Sequence, residues 1–272
     1  MEQEKMNVVL DKKRFGPWAL VTGASSGIGK EFARQIAASK INVVLVARRE
    51  GLLKQAGAEL SKRYGVEHRV VVLDLSREDF IGQLASATDD LDIGLVVSHA
   101  GSGNPGEFLK LDRQLLREAV RLSVMAHLDI THYFGAKLAM RRQGGVVLTG
   151  ALGAEKGVPL NANDGAARAY VHSLGEALHY EFKPLGVYVT VLAVGFTDTP
   201  VLEKFGLDPK TTPMKPMSVE QCVSEGLSGL LKNRSKLIPG RLNRILNAVV
   251  PASVARKMGA DLIGKGLAKL QR

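Results

Sequence analysis

The sequence predicts an α/β protein built on a doubly wound parallel sheet of about seven strands, with helices on both faces of the sheet. Short, almost wholly apolar runs such as residues 41–47 are typical of parallel strands that are covered on both faces. These runs alternate with longer segments of helical period, such as residues 50–64. The third observation is a glycine-rich turn at 21–29, which joins an apolar run at 18–21 to a helical segment.

The elements follow one another in strand–helix alternation. Strands are predicted at 18–21, 41–47, 69–73, 94–98, 145–149, 187–193 and 236–239. Helices are predicted at 50–64, at 170–178 and, as one or two long helices, across 115–142. We expect the residues before Phe15 to form a polar arm on the surface.

Length and composition favour one domain, 1–272, with a sizeable core. The single cysteine, Cys222, excludes an internal disulfide framework and fits a reducing compartment. The polar, acidic N-terminus lacks the basic and apolar regions of a signal peptide, and no apolar window is long enough to span a bilayer. We therefore expect a soluble, cytoplasmic protein.

The net charge of +10 belongs to one end of the chain. Residues 232–272 contain ten of the 37 lysines and arginines but only one of the 27 acidic residues, Asp261, which leaves 27 basic and 26 acidic residues elsewhere. A nucleic-acid-binding protein would carry a basic face on the fold itself. The charge pattern therefore argues against a nucleic-acid partner.

The glycine-rich turn has the composition of a dinucleotide-binding turn. Gly23 suits a tight turn, Gly27 suits a close approach of backbone to a diphosphate, and Gly29 suits close packing of helix on strand. The free N–H groups at the positive end of the following helix would then face the phosphate oxygens. An ordinary strand-to-helix turn is the alternative, but the apolar run before the turn and the helical period after it favour the nucleotide site.

Residues 22–29, Thr-Gly-Ala-Ser-Ser-Gly-Ile-Gly, resemble the signature of the short-chain dehydrogenase/reductase family, and further matches continue to about residue 200. The resemblance implies a Rossmann-type fold, a nicotinamide cofactor and a homodimer or homotetramer with the long helix at 115–142 in the subunit interface. Within the family, the chain is most similar to the hydroxysteroid dehydrogenase and long-chain ketoacyl reductase branch. That similarity implies oxidoreductase chemistry on a small lipophilic alcohol or carbonyl compound.

The end of the second strand bears on the choice of cofactor. NAD-binding relatives carry an acidic residue there, whereas this chain has Ala47 followed by Arg48, and a guanidinium pairs with a 2′-phosphate. We therefore favour NADP(H), although Arg48 and Arg49 could also be solvated residues at a strand end. The resemblance assigns cofactor contacts to Gly23, Ser25, Ser26, Gly27, Ile28, Gly29, Arg48, Asp74, Leu75, Ala100, Gly101, Arg168, Gly195 and Thr197; no metal site is assigned.

The four catalytic positions of the family are occupied by other residues in this chain. In the register set by the fifth strand, the family's Ser, Tyr and Lys correspond to Ala151, Asp164 and Arg168, and its Asn corresponds to Ser123. In the family, the Tyr protonates the carbonyl oxygen, the Lys supports the Tyr, the Ser orients the substrate and the Asn completes a proton relay. We expect Ala151 and Ser123 to have lost those roles.

A literal Tyr-x-x-x-Lys occurs at Tyr133 and Lys137, but it precedes the fifth strand instead of following it. We therefore reject it as the catalytic pair and expect Tyr133 to serve packing or the subunit interface.

Asp164 and Arg168 are one helical turn apart and should face each other. An adjacent guanidinium favours the ionised form of a carboxyl group, so we expect a carboxylate that is a poor proton donor. Arg168 delivers no proton at accessible pH but could hold the ribose or a diphosphate oxygen. The alternative is a structural ion pair that fills the former catalytic cavity.

Three functional hypotheses follow. One is an atypical oxidoreductase that uses water, His99 or a substrate group as the acid. The second is a cofactor-bound protein without reductase turnover, serving as a partner or scaffold. The third is non-redox chemistry in the retained pocket.

Residues 201–217 are predicted to form a substrate lid, and residues 241–272 a basic helical tail. Apolar positions recur at helical spacing in two stretches of the tail: Leu242, Ile245, Leu246, Val249 and Val250, then Val254, Met258 and Leu262. Such helices could lie on an anionic membrane surface, or they could cover the substrate pocket or a subunit interface. We favour the cover, because Gly259, Gly264 and Gly266 should weaken the second helix as an independent element.

Overall fold

The computed structural model describes residues 8–101, 103–209, 212 and 215–270. Its centre is a seven-stranded sheet in the order β3-β2-β1-β4-β5-β6-β7, and all neighbouring strands are parallel. The strands are β1 Trp18–Thr22, β2 Asn42–Ala47, β3 His68–Val72, β4 Ile93–Ser98, β5 Gly144–Ala151, β6 Val187–Val194 and β7 Lys236–Leu237. The strand order reverses between β1 and β4, so the predicted doubly wound fold is confirmed.

The helices cover both faces of the sheet. They are α1 Lys12–Phe15, α2 Gly27–Ala38, α3 Glu50–Tyr64, α4 Phe80–Ser86, α5 Arg113–Val120, α6 Ala126–Arg141, α7 Ala162–Phe182, α8 Val201–Lys204, α9 Val219–Leu231, α10 Arg241–Val249 and α11 Ala252–Leu270. One apolar core lies between the sheet and α2, α3 and α9, and the other lies between the sheet and α4, α6 and α7. Alternate residues of a strand serve the two cores, as Val21 and Leu20 of β1 do.

Two strand ends differ from the predicted bounds in ways that concern the site. β5 pairs with β6 along its whole length, from Gly144↔Val187 to Ala151↔Val194, and this pairing carries β5 beyond the predicted end at 149. β7 is only two residues long and ends before Pro239, which has no N–H to give to a sheet.

The surface arm predicted before Phe15 is confirmed only in part: Val9 and residues 11–13 are exposed, but Leu10 is buried. Among the residues described there, the side chains of Leu10 and Phe15 are buried and join the core under α2 and α9. Phe15 is the last residue of α1, and its ring lies edge-on to Tyr188 of β6 with centroids 6.2 Å apart. The error arose because two apolar residues among many polar ones give no helical or strand period.

The long helix predicted across 115–142 is interrupted by a π-helical segment. α5 and α6 are joined by residues Arg121–Met125, which form a single π turn. Such turns add a residue to a helix and occur often at functional sites. Ser123, which the sequence assigns to the family's Asn position, lies in this turn.

The two tail helices have different relations to the body. α10 leaves Leu242, Ile245 and Val249 exposed, whereas Leu246 and Val250 are partly buried. α11 is a continuous helix of 19 residues in spite of its glycines. Of the helices in the described parts of the chain, none is both long enough and apolar enough to cross a membrane.

Two of the glycines that should weaken α11 as an independent element, Gly259 and Gly266, are close contacts with the body of the protein. A methyl group on Gly266 would overlap the carbonyl oxygen of Phe205, and one on Gly259 would lie 2.6 Å from Cγ1 of Val158. Glycine at these positions therefore allows α11 to lie directly on the segment after α8 and on the loop after β5.

Candidate active site

The site is a cleft of about 700 Å³ at the carboxyl ends of the central strands. This is the edge at which a doubly wound sheet binds its ligands, because the connections diverge there and leave a crevice. Most of the residues assigned to the cofactor from the sequence line this cleft: Gly23, Ser25, Ser26, Gly27, Ile28, Arg48, Asp74, Leu75, Ala100, Gly101, Arg168, Gly195 and Thr197. Gly29 lies directly below the turn.

The glycine-rich turn has the conformation that the sequence predicts. Gly23 and Gly27 have φ angles of +65° and +53°, which side chains with a Cβ rarely adopt. A methyl group on Gly29 would overlap the carbonyl oxygen of Gly23, so only glycine lets the start of α2 lie against the turn. The turn therefore holds the free N–H groups of α2 open to the cleft, where an anion can bind.

Two arginines stand beside this turn, and sequence reasoning gave a role to only one of them. The Nη2 of Arg49 donates hydrogen bonds to the hydroxyl oxygens of Ser25 (2.8 Å) and Ser26 (2.7 Å). The side chain of Arg48 is 71% exposed, and its Nη1 is 3.9 Å from Oδ2 of Asp74. Both line the cleft, so together they place two guanidinium groups at the end of β2.

Asp74 is held as a carboxylate. Burial alone would raise its pKa, but hydrogen bonds from the backbone N–H and hydroxyl of Ser76, together with the charge of Arg48, lower the pKa below its ordinary value. Its side chain thus orders the loop after β3, next to Leu75.

A buried polar network ties β1, β4 and β5 together below the cleft. The backbone N–H of His99 donates to the hydroxyl of Thr22 (2.8 Å), and the Nδ1 of His99 is 3.0 Å from the hydroxyl of Thr149. Burial, aided by the positive charge of Arg168, lowers the pKa of His99 to about 3. His99 is therefore neutral near pH 7 and is a structural hydrogen-bonding group instead of an acid.

His127 of α6 is a second buried, neutral histidine. Its Nε2 lies 3.2 Å from the carbonyl oxygen of Ala100, which can only accept, so Nε2 carries the proton. Its Nδ1 then accepts from the hydroxyl of Ser98 at 2.7 Å. Burial is the main cause that lowers the pKa of His127 to about 3. The histidine thereby fixes the backbone at Ala100, which forms part of the floor of the cleft.

Asp164 and Arg168 face each other across one turn of α7, as the spacing predicts. The Nε of Arg168 is 3.6 Å from Oδ1 of Asp164, and the two side chains are only 15% and 13% exposed. Arg168 also donates from Nη1 to the carbonyl oxygen of Thr149 (3.1 Å), and its Nη2 lies against Gly101. The carboxylate of Asp164 accepts no hydrogen bond from the residues that the structure describes, and its Oδ1 is buried.

Ala151 and Ser123 have different positions relative to the cleft. Ala151, the last residue of β5, lines it with a methyl group. Ser123 is buried beneath it, and its hydroxyl has no hydrogen-bond partner in the described parts of the chain. Neither side chain is placed to orient a ligand oxygen within the cleft.

None of the five tyrosines of the chain lines the cleft. Tyr133 and Lys137 lie on α6, where both bind Oδ1 of Asp89 at 2.7 Å. The rejected Tyr-x-x-x-Lys motif is therefore remote from the cleft, and Tyr133 forms a surface hydrogen bond.

The opposite end of the cleft is largely apolar and is closed by the segment after β6 and by α11. Its lining comes from Leu122, Val194, Phe196, Val201, Leu202, Lys204, Phe205, Leu207 and Ile263. Part of the predicted lid is thus present, since residues 201–207 lie over the cleft; residues 210, 211, 213 and 214 are outside the described residues. Sequence reasoning missed Ile263, which lies 56 residues after Leu207 in the chain and gives no local signal.

Three possible metal ligands come together outside the cleft. The donor atoms of Glu155, His172 and Glu176 lie within 4.8 Å of one another. The ammonium of Lys236 already binds Glu155 and lies 3.1 Å from Oε1 of Glu176. Hydrogen bonds from Lys236 and His172 overcome burial and lower the pKa of Glu155 to about 2. The lysine supplies the positive charge of this cluster, and we interpret it as an ion-pair network that anchors β7.

Comparison with known proteins agrees with this fold. A model of the short chain dehydrogenase family matches residues 17–210. The chain therefore belongs to the short-chain dehydrogenase family of oxidoreductases.

Its relatives include proteins with steroid-related names. A 7beta-hydroxysteroid dehydrogenase of Clostridium sardiniense is 30% identical over 234 residues, which are 86% of this chain and 89% of the relative. The inactive hydroxysteroid dehydrogenase-like protein 1 of Mus musculus is 30% identical over 183 residues, or 66% of this chain and 56% of that protein. The solved structure of a short-chain dehydrogenase from Sphingobium yanoikuyae in complex with NADPH has a TM-score of 0.78 at 26% identity and covers 93% of this chain and 94% of that one.

Proposed function

We propose that this chain is an NADP(H)-binding member of its family whose cleft takes a lipophilic alcohol or carbonyl compound, and that it lacks the tyrosine-based proton transfer of the family. Turnover of ordinary ketones is accordingly very slow. The observation that carries the proposal is the combination of an intact nucleotide turn with a cleft that no tyrosine lines.

The residues at the nucleotide end fit the cofactor. Glycines at positive φ hold the turn, the start of α2 offers N–H groups, and Arg48 and Arg49 provide positive charge for a 2′-phosphate. The related Sphingobium yanoikuyae enzyme was solved with NADPH. When bound, the cofactor would supply or accept a hydride; the protein's own residues must handle the proton.

The residues beside the expected reaction centre do not supply that proton. Arg168 keeps its protons at accessible pH, and the carboxylate of Asp164, paired with Arg168, would repel an alkoxide that forms next to it. His99 is neutral and already hydrogen-bonded to Thr149, which argues against the hypothesis that it is the acid. General acid catalysis contributes roughly 10²–10⁴-fold, so its absence would leave little turnover.

The second candidate function is a cofactor-bound partner or scaffold protein without turnover. The specific observation in its favour is that Asp164 and Arg168 form a largely buried ion pair and that Arg168 also donates a hydrogen bond to β5, as in a structural pair. The name of the Mus musculus relative shows that a hydroxysteroid dehydrogenase-like protein can be classed as inactive. Non-redox chemistry in the cleft is the third hypothesis. The described lining contains one hydroxyl beside a histidine, Thr149 with His99, but burial lowers the pKa of His99 to about 3 and makes it a weak base.

The proposal is tested by restoring the family's residues. The triple variant Ala151→Ser, Asp164→Tyr and Arg168→Lys should gain ketone reduction, followed as NADPH oxidation with a bulky lipophilic ketone. The double variant without Asp164→Tyr is the matched control and should stay inactive, because it has no proton donor. NADPH affinity is measured for each variant by calorimetry, so that a loss of cofactor binding is distinguished from a loss of chemistry.

Robust ketone reduction by the unaltered protein would contradict the proposed slow turnover. It would establish an atypical oxidoreductase that works without a tyrosine. Absence of binding of both NADPH and NADH would overturn the cofactor assignment.

A further inference from the structure

The helix α11 has an inner face that belongs to the cleft. Ile263 lines the cleft, Gly266 lies on the backbone of Phe205, and Gly259 lies on Val158. The Nε of Arg256 donates to the carbonyl oxygen of Lys156 and so holds the start of α11 to the loop after β5. The favoured prediction for the tail, that it covers the substrate pocket, therefore holds for this inner face of α11.

The outer faces of α10 and α11 carry large apolar side chains that are exposed. On α10, Leu242, Ile245 and Val249 are 57%, 48% and 66% exposed and follow one another at i, i+3 and i+7. On α11, Val254 and Met258 are 47% and 60% exposed and are one turn apart. Exposed apolar residues that cluster in this way mark a contact with another protein or with a membrane.

The same helices carry an unbalanced positive charge. Arg241, Lys257, Lys265 and Lys269 are exposed and form no ion pair with the described residues. The remaining bases are engaged, since Arg244 is 2.8 Å from Glu225 and Arg256 bonds to Lys156. Asp261 is the only acidic residue on either helix.

We propose that α10 and α11 form a docking surface for an anionic lipid membrane. Docking would place the roof of the cleft, which is formed by the segment after β6 and by α11, against the lipid. Apolar side chains would enter the interface while the arginine and lysines meet lipid phosphates and carboxylates. A second copy of the chain is disfavoured as the occupant, because two such faces would bring their unpaired cations together. The lipophilic nature of the ligand rests on the proposed function, whereas the docking surface itself does not.

Docking has a direct use for a lipophilic ligand. The helix that would touch lipid is the one that contributes Ile263 to the cleft, and its neighbour in the roof is Phe205. Docking would therefore bring the roof of the cleft next to a ligand that is dissolved in the bilayer.

The test is sedimentation of the full chain with vesicles, either phosphatidylcholine alone or an equal mixture of phosphatidylcholine and phosphatidylserine. We expect binding to the mixed vesicles at low salt, weak binding at high salt, and little binding to phosphatidylcholine alone. Each basic residue near an anionic surface changes affinity about fivefold. The charge variant Lys257→Gln, Lys265→Gln and Lys269→Gln should thus bind about 100-fold more weakly.

An apolar variant, Ile245→Ser, Val249→Ser and Met258→Ser, should also lose binding. The controls are matched changes at exposed positions elsewhere, Lys13→Gln, Lys62→Gln and Lys183→Gln for charge and Leu109→Ser with Met140→Ser for apolar surface, and these should bind as the unaltered chain does. Thermal unfolding and NADPH calorimetry on every variant show that the fold and nucleotide end are intact.

Three outcomes would overturn the docking proposal: no binding at low salt, binding that the tail variants do not weaken, or a dimer in lipid-free solution that the apolar variant dissociates. The last result would assign the surface to a second copy of the chain. Because vesicle binding requires neither cofactor nor turnover, failure here leaves the proposed function standing, and failure of NADPH binding leaves the docking result standing.

Discussion

At the scale of single residues, the nucleotide end of the cleft depends on which guanidinium meets the cofactor. Arg49 is held by Ser25 and Ser26, and Arg48 extends into solvent near Asp74. Both arginines directly follow β2, but only Arg49 is already held next to the phosphate-binding turn. We therefore expect the choice between NADPH and NADH to depend on both arginines and not on Arg48 alone.

We predict that the protein binds NADPH more tightly than NADH and that Arg48→Asp reverses the order. A hydrogen bond to a charged group contributes about 1.5–3 kcal/mol, so Arg49→Ala should weaken NADPH binding about 10- to 100-fold and leave NADH binding nearly unchanged. Calorimetric titration of both cofactors measures the difference. Equal losses for the two cofactors would mean that Arg49 serves the turn and not the 2′-phosphate.

Asp164 leads to a prediction about the ligand. Its carboxylate accepts no hydrogen bond from the described residues, so a ligand hydroxyl can donate to it, whereas a ketone oxygen would meet another acceptor. We expect a lipophilic alcohol to bind about 10- to 100-fold more tightly than the corresponding ketone in the presence of NADPH. Asp164→Asn should bring the affinities for the alcohol and the ketone closer together. Equilibrium binding of one alcohol–ketone pair to both proteins is sufficient. A preference for the ketone in the unaltered protein would contradict the prediction.

At the scale of elements, α11 offers a comparison between two glycines of the same helix. A methyl group on Gly266 would overlap the Phe205 carbonyl oxygen, whereas one on Gly264 would meet only a side-chain carbon of Leu160 at 3.6 Å. Overpacking costs about 1–3 kcal/mol, and glycine to alanine within a helix gains up to about 1 kcal/mol where there is room.

We therefore predict that Gly266→Ala lowers the free energy of unfolding and weakens ligand binding, while Gly264→Ala leaves stability unchanged or raised. Urea unfolding of the two variants measures the difference. Similar unfolding free energies for the two variants would show that the contact between α11 and Phe205 can rearrange to accept a methyl group.

The sequence predicted the elements whose signals are local. The apolar strands, the glycine turn and the Asp164–Arg168 pair each depend on a few neighbouring residues, and the structure places all of them as expected. The contacts that it did not predict join distant parts of the chain. Phe15 packs on β6, and Ile263 reaches the cleft, because the fold brings those segments together.

The same distinction applies to the candidate site. The family resemblance assigns Ala151, Asp164 and Arg168 to the expected catalytic positions, and this assignment stays a prediction. It could not show that Arg49 bonds to the turn or that Ser123 lies in a π turn below the cleft, because both depend on backbone geometry.

At the scale of the whole molecule, two buried neutral histidines make stability depend on pH. His99 and His127 have folded pKa values of about 3, against 6.5 when unperturbed. Below pH 6.5 the unfolded chain takes up protons that the folded chain does not, so the stability present above that pH is lost as pH falls toward 3.

We predict that the free energy of unfolding falls between pH 7 and pH 5, by about 2 kcal/mol for each of the two histidines at pH 5. His127→Asn should reduce that slope even though it also lowers stability at every pH. His132→Asn is the control, because His132 is exposed on the same helix. Urea unfolding at several pH values gives the slopes, and identical slopes for all three proteins would show that His127 is protonated in the folded chain.

The two ends of the cleft come from separate lengths of chain. The glycine turn and the ends of β2, β3 and β4 come from residues before 102, and the lid segment with Ile263 comes from residues after 200, while residues between them, such as Asp164 and Arg168, line the middle. Ligand range and cofactor choice can consequently be inherited separately. A chimaera that carries a relative's segment from residue 201 onward should take that relative's ligand while its nucleotide preference stays that of the present chain.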